Sequence, residues 1–220
     1  MQTATAIRTR LPAAAIPATA PALSQGGTRR ILAKGAELFA EGDASTFFFR
    51  VVSGTVRTVK LLADGRRQID AFHVAGDMFG LDRGASYRLT AEAVEPATVI
   101  AYRRSDFASL MQRDPAVMEA LMAATLANLD RAHEHMVLLG RKTAMERMAS
   151  FLLDLASRLS CPDQVCLPMQ RHDIADHLGL TIETVSRTLS QMIQAKLIRL
   201  ADGGRTICLL NKDALQLLAA

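Results

Sequence analysis

The chain has 220 residues, 50% of them hydrophobic and 22% charged, with a net charge of +4 at pH 7. That length fits two domains with real hydrophobic cores, and three cysteines are too few for a disulfide scaffold. No uninterrupted apolar stretch approaches the roughly 20 residues that span a bilayer, and the mild positive charge permits a polyanionic partner without demanding one.

Residues 1–28 are rich in Ala, Pro and Thr and carry Arg8 and Arg10 but no acid. The apolar run from 11 to 23 is broken by Pro12, Pro17 and Pro21, which argues against both a secretory signal and the amphipathic helix of a transit peptide. The segment reads as a disordered tail on a cytoplasmic protein.

From 29 to 113 glycines at 35, 42, 54, 65, 76 and 80 punctuate short apolar runs. Several of the runs Phe47-Phe-Phe-Arg-Val-Val, Gly54-Thr-Val-Arg-Thr-Val-Lys-Leu-Leu, Arg67-Gln-Ile-Asp-Ala-Phe-His-Val and Ala97-Thr-Val-Ile-Ala-Tyr alternate apolar with polar residues, and they are rich in branched and aromatic types. That pattern predicts strands of an antiparallel sandwich, closed as a jelly roll. Residues 105–113 read as helical.

Asp114-Pro115 predicts a helix start, with Pro in the first turn and an acid at the positive end of the dipole. The helix runs from 114 to 140. Along it Met122, Leu126, Leu129, His133 and Met136 recur at alternating spacings of four and three, a seam suited to a two-stranded coiled coil; the same stripe packed on the chain's own sandwich has a similar pattern. His133 and His135, two apart on a helix, point to different sides and do not form a metal pair.

Residues 141–220 hold the most informative run. Gln170-Arg-His-Asp-Ile-Ala-Asp-His-Leu-Gly-Leu-Thr-Ile-Glu-Thr-Val-Ser-Arg-Thr-Leu-Ser predicts two short helices, with Gly179 in the turn and Thr181 as N-cap of the second. On that second helix Ile182, Val185, Leu189, Met192 and Ile193 form the expected core stripe, and Glu183, Ser186, Arg187 and Ser190 the opposite face. A lone Glu-x-x-Ser-Arg also fits a solvated helix face. The residues downstream argue otherwise: Lys196-Leu-Ile-Arg-Leu, Asp202-Gly-Gly and Arg205-Thr-Ile-Cys-Leu make a hairpin, so the order is helix, turn, helix, wing.

Arg bonds two acceptors of guanine, Glu accepts from the cytosine amino group, and Ser suits several partners, so Glu183, Ser186 and Arg187 are the candidate base contacts. Gln170, Arg171, Thr181, Thr184 and Ser190 are the candidates for backbone or secondary contacts. Ten Lys or Arg stand against eight Asp or Glu from 141 to 220, so phosphate contacts must come from local placement and backbone amides.

Cys161 lies at a turn around Pro162 and is the candidate for redox sensing; Cys166 and Cys208 read as small buried hydrophobes. No nucleophile elbow, phosphate loop or metal-ligand spacing appears, so an enzyme is not expected.

The sandwich with Gly42, Gly54 and Gly76-Asp-Met-Phe-Gly80, the long helix, the linker from Met136 to Ala149 and Glu183-Thr-Val-Ser-Arg187 together resemble the CRP/FNR family of bacterial transcription regulators, over residues 29–212. The expected fold class is therefore α+β: a cyclic-nucleotide-binding-like jelly roll, a dimerisation helix with Met122, Leu126, Leu129 and Met136 in its seam, and a C-terminal winged helix-turn-helix.

Two departures refine the resemblance. Cyclic-nucleotide binders carry a Gly-Glu pair and an Arg-Ser or Arg-Thr pair where this chain has Gly80-Leu81 and Arg88-Leu89, which leaves a cyclic phosphate and its ribose poorly held. Iron–sulfur members place cysteines in the N-terminal arm, and none precedes Cys161 here. With the 66–74 stretch, the remaining pattern is similar to the FixK-like branch, in which no cofactor or effector is required. That resemblance implies a homodimer on double-stranded DNA with a TTGAT-type palindrome, RNA polymerase as partner, and activation of microaerobic, denitrification or nitrogen-fixation genes. The alternative is a haem- or small-molecule-gated sensor, with His73 as the haem candidate.

Overall fold

The computed structural model describes residues 27–82, 84–106, 109, 115–159, 161 and 163–220. The expected tail lies outside the described residues except for its last two, as does most of the 105–113 segment and Asp114 of the expected helix start.

Eight strands build the sandwich: β1 (Thr28–Leu32), β2 (Glu37–Phe39), β3 (Phe47–Ser53), β4 (Val56–Leu61), β5 (Arg67–His73), β6 (Met78–Phe79), β7 (Thr90–Ala93) and β8 (Ala97–Arg103). They pair antiparallel in two four-stranded sheets, ordered β1-β8-β3-β6 and β2-β7-β4-β5. Alternation decides the faces. On β3, Phe49 and Val51 point inward, joining Leu32, Phe39, Phe79, Tyr87, Ala91 and Val99 in the sandwich core.

Phe39 stacks on Tyr87 with ring centroids 3.7 Å apart and on Phe49 at 5.4 Å. The Tyr87 hydroxyl, which would be costly to bury alone, donates to the Phe47 carbonyl at 2.7 Å. Gly54 turns the chain between β3 and β4 at φ 75°, where a Cβ would sit 2.4 Å from the Pro96 carbonyl oxygen. Only glycine fits both that conformation and that approach.

Helix α1 (Pro115–Arg141) carries two apolar stripes. Val117 and Ala124, with Ala120 and Leu121 partly covered, pack with Phe48, Met78 and Tyr102 on the outside of the first sheet. Met122, Leu126, Leu129 and Met136 remain 49–65% exposed. This stripe is therefore distinct from the face that packs on the first sheet, although Leu129 and Met136 also line a cavity between α1 and the sandwich.

The C-terminal half comprises α2 (Ala144–Arg158), β9 (Gln164–Cys166), α3 (Arg171–Leu178), α4 (Ile182–Gln194), β10 (Ile198–Ala201), β11 (Thr206–Leu209) and α5 (Lys212–Ala219). Thr143 and Glu146 form a capping box that starts α2 immediately after α1 ends. The three strands make a small sheet ordered β10-β11-β9. Met148, Leu152, Leu155, Ile174, Leu178, Val185, Leu189, Met192, Ile207 and Leu215 close the core among these elements, and that core is continuous with Ile69, Phe72 and Val74 of the sandwich. Among the described residues no helix is long and apolar enough to cross a membrane, and no group of His, Cys, Asp and Glu is placed to hold a metal ion.

Candidate nucleic-acid interface

α3 ends because Gly179 adopts the left-handed conformation, φ 61° and ψ 42°, with its N–H directed to the Ala175 carbonyl. A side chain there would also press on Leu139 at 3.2 Å. Two residues later Thr181 caps α4, its hydroxyl accepting from the Thr184 N–H at 3.2 Å. The turn is thus held by local chemistry at both helix ends.

α4 buries Val185, Leu189 and Met192 as expected, together with Thr188. Ile182 and Ile193 depart from expectation: they are 39% and 38% exposed. They flank the buried stripe rather than join it, because the stripe facing α2 and α3 is narrower than the apolar arc. On the outer face Glu183 and Arg187 are exposed and Ser186 is half-buried between them. Among the described residues neither the Glu183 nor the Arg187 side chain has a hydrogen-bond or ion-pair partner. Both charged heads stand free for an external partner.

The secondary candidates divide. Thr184 is occupied with Thr181, and the Ser190 hydroxyl donates back to the Ser186 carbonyl at 3.0 Å. Gln170 is exposed at the N-terminal boundary of α3, where its N–H donates to Asp173 at 3.2 Å. Arg171 extends toward the wing: a Cβ on Gly204 would lie 3.3 Å from its Nη2. Asp202, Gly203 and Gly204 all take positive φ at the wing tip, and the exposed Arg199 and Arg205 flank it.

Sequence reasoning missed the residues that support the site. Arg147 of α2 donates to the carbonyls of Leu139 (3.0 Å), Lys142 (2.9 Å) and Leu178 (2.7 Å), tying the end of α1 to the end of α3. Asp77 accepts from the Val74 N–H at 2.8 Å and from Arg158 at 2.5 Å. Burial pushes the Asp77 carboxyl up, but Arg158 and Arg131 outweigh it and hold its pKa below the ordinary value. A basic residue in a helix gives no sequence signal for such roles, since its partners lie tens of residues away.

The histidines and cysteines fall out differently from one another. His73 has its Nε2 3.1 Å from the Thr58 hydroxyl and its ring stacked on Phe79; burial pushes its pKa down to about 3. His133 is exposed, whereas His135 packs on His177, so the two do point to different sides. Cys161 is exposed as expected. Cys166 is exposed rather than buried, and Cys208 is half-buried with Arg199 donating to its sulfur at 3.2 Å. Both lie on strands of a three-stranded sheet with an open face, so the apolar neighbours in sequence do not enclose them.

A β sandwich joined through one long helix to a winged helix-turn-helix defines a DNA-binding transcription regulator. Residues 29–114 match the cyclic nucleotide-binding domain family and residues 146–218 the Crp-like helix-turn-helix domain family. The chain is 45% identical to the nitrogen fixation regulation protein FixK of Azorhizobium caulinodans, over 86% of this chain and 78% of that one. It is 41% identical to the protein of the same name from Rhizobium meliloti, covering 83% and 82% respectively. Its fold superposes on the structure of FixK2 from Bradyrhizobium japonicum with a TM-score of 0.82 at 45% identity, over 88% of this chain and 98% of that one. The chain belongs to the CRP/FNR family of transcription regulators, on its FixK-like side.

Proposed function

We propose that this regulator reads a TTGAT-type palindrome as a homodimer, with Glu183, Ser186 and Arg187 contacting base edges. The observation that carries the reading is the free, exposed pair Glu183 and Arg187 on a helix anchored from behind by a buried stripe. Arg187 pairs with guanine and Glu183 with the cytosine amino group. Gln170, Arg171 and Thr181 lie at helix starts, where amide groups suit phosphates, and Thr184 and Ser190 supply secondary contacts. Residues 29–113, 114–140 and 141–220 serve as sensor-like, dimerisation and DNA-binding modules.

The second copy is supported by the exposed stripe Met122, Leu126, Leu129 and Met136. Two such stripes facing each other would bury a heptad seam and set two reading helices on one face of the duplex. The names of the FixK relatives point to nitrogen-fixation genes. Activation of these or of microaerobic and denitrification genes, through RNA polymerase in the cytoplasm, is the output that fits. Selection of bound sites from randomised duplexes tests the reading; recovery of sequences without an inverted repeat of TTGAT would overturn it.

A gated sensor is the second reading, favoured by a cavity of about 890 Å³ between the sandwich, α1 and α2, lined in part by Phe79, Leu81, Leu89, Asn128 and His135. Its apolar lining at Leu81 and Leu89 suits neither a cyclic phosphate nor a ribose. The engagement of His73 Nε2 with Thr58 weighs against that nitrogen as a haem ligand. A Soret band in the purified protein would decide for the sensor.

A further inference from the structure

The helix-turn-helix is clamped to the sandwich of its own chain. Arg57 on β4 and Arg67 on β5 converge on the buried carboxylate of Asp173, their terminal nitrogens 2.6 and 2.7 Å from the same Oδ1. Arg67 continues one turn along α3 to Asp176, with Nε 2.8 Å from Oδ2, and Arg57 is itself held by Glu92 of β7 at 2.6 Å. The other end of α3 is tied to the same strand: Gln68 donates to the His177 carbonyl at 3.2 Å, and His177 Nδ1 lies 3.1 Å from the Ile69 carbonyl oxygen.

We propose that Arg57 and Arg67 are positioning residues for DNA recognition, fixing α3 through Asp173 and Asp176 and thereby fixing the aim of α4. The inference rests on the DNA-site reading above. α3 and α4 move as one body, because Ile174, Leu178, Val185 and Leu189 share one core and the turn between them is capped on both sides. Anchoring α3 at both ends therefore sets the direction of Glu183 and Arg187, which stay exposed in this arrangement.

The clamp brings two physical gains. A reading head already oriented spends less of its binding energy on ordering. Asp173 is buried, where an unpaired carboxylate would be costly, and the two arginines neutralise it.

The test uses the whole chain and a duplex carrying an inverted repeat of TTGAT. Arg57→Met/Arg67→Met should bind it about tenfold more weakly, with faster amide exchange confined to β5 and α3 while α4 stays protected. Asp176→Asn should also weaken binding, because it removes the charge that holds Arg67 one turn along α3. Arg67→Lys, which keeps a cation within reach of both Asp173 and Asp176, should retain most of the affinity. Unchanged affinity in the double Met variant, tighter binding by Asp176→Asn, or a loss in Arg67→Lys as large as in the double Met variant would each overturn the clamp. Failure of the wild-type chain to select this duplex would overturn the DNA-site reading itself, while amide exchange without DNA judges the docking separately.

Discussion

His177 of α3 stacks on His135 of α1, ring centroids 4.3 Å apart and planes 15° from parallel. Phe72 meets His177 edge-on at 5.2 Å, and the Nδ1 of His177 is spent on the Ile69 carbonyl. Three parts of the chain, sandwich, long helix and DNA-binding half, thus meet on one imidazole. Burial pushes its pKa down to about 3, helped by the neighbouring His135 ring.

That depression has a pH consequence. The unfolded chain takes up a proton on each histidine near its ordinary pKa of about 6.5, whereas folded His73 and His177 stay neutral until about pH 3. Stability conferred by these neutral rings is fully present above pH 6.5 and falls as pH drops, by up to about 1.4 kcal/mol per unit for each histidine. Urea melts of His177→Phe between pH 7 and 5 should show a shallower dependence than wild type. Parallel curves for the two proteins would show that His177 is not buried neutral.

Arg187→Ala should cost about 1–3 kcal/mol of DNA affinity and relax preference at one base pair of each half-site. Binding to a panel of single-base operator variants measures this. An equal loss on every sequence would make Arg187 a phosphate contact.

Leu129→Glu would place two facing charges in the seam between copies. Each unpaired buried charge costs several kcal/mol, so the variant should sediment as a monomer and bind the palindrome poorly. A dimer of unchanged stability would remove this stripe from the interface.

Cys161 is exposed beyond the end of α2, its backbone bonded to Ala156 at 3.2 Å and to Gln164 at 3.4 Å. A sulfenic acid there adds polarity to a loop without a path to Arg187. Cys161→Ser should bind DNA like wild type under reducing conditions and in mild peroxide. Peroxide-induced release that disappears in the variant would instead make this thiol a sensor.

The readable parts of the fold were those in which one short segment carries the whole signal. The four longest sandwich strands are rich in branched and aromatic residues, and Gly179, Thr181 and the hairpin around Asp202-Gly-Gly are turn chemistry written in two or three residues. β1, β2, β6 and β7 escaped because they have only two to five residues, and Thr90-Ala-Glu-Ala has little β character of its own; pairing with β4 and β2 makes it a strand. The outward face of α4 was legible from spacing alone. Arg57, Arg67 and Arg147 were not, since each owes its role to a partner supplied by a distant element, and Cys166 was misplaced because apolar neighbours along a strand do not imply cover above it.

The docking of α3 against β5 has one more effect. β5 is the last strand of its sheet, and an open strand edge is a template on which another chain can add. Lying there, with His177 taking the Ile69 carbonyl, the DNA-binding half covers part of that edge. A chain whose two halves parted would bare that strand edge along with the proposed reading orientation, so the same contact would bear on self-association as well as on operator binding.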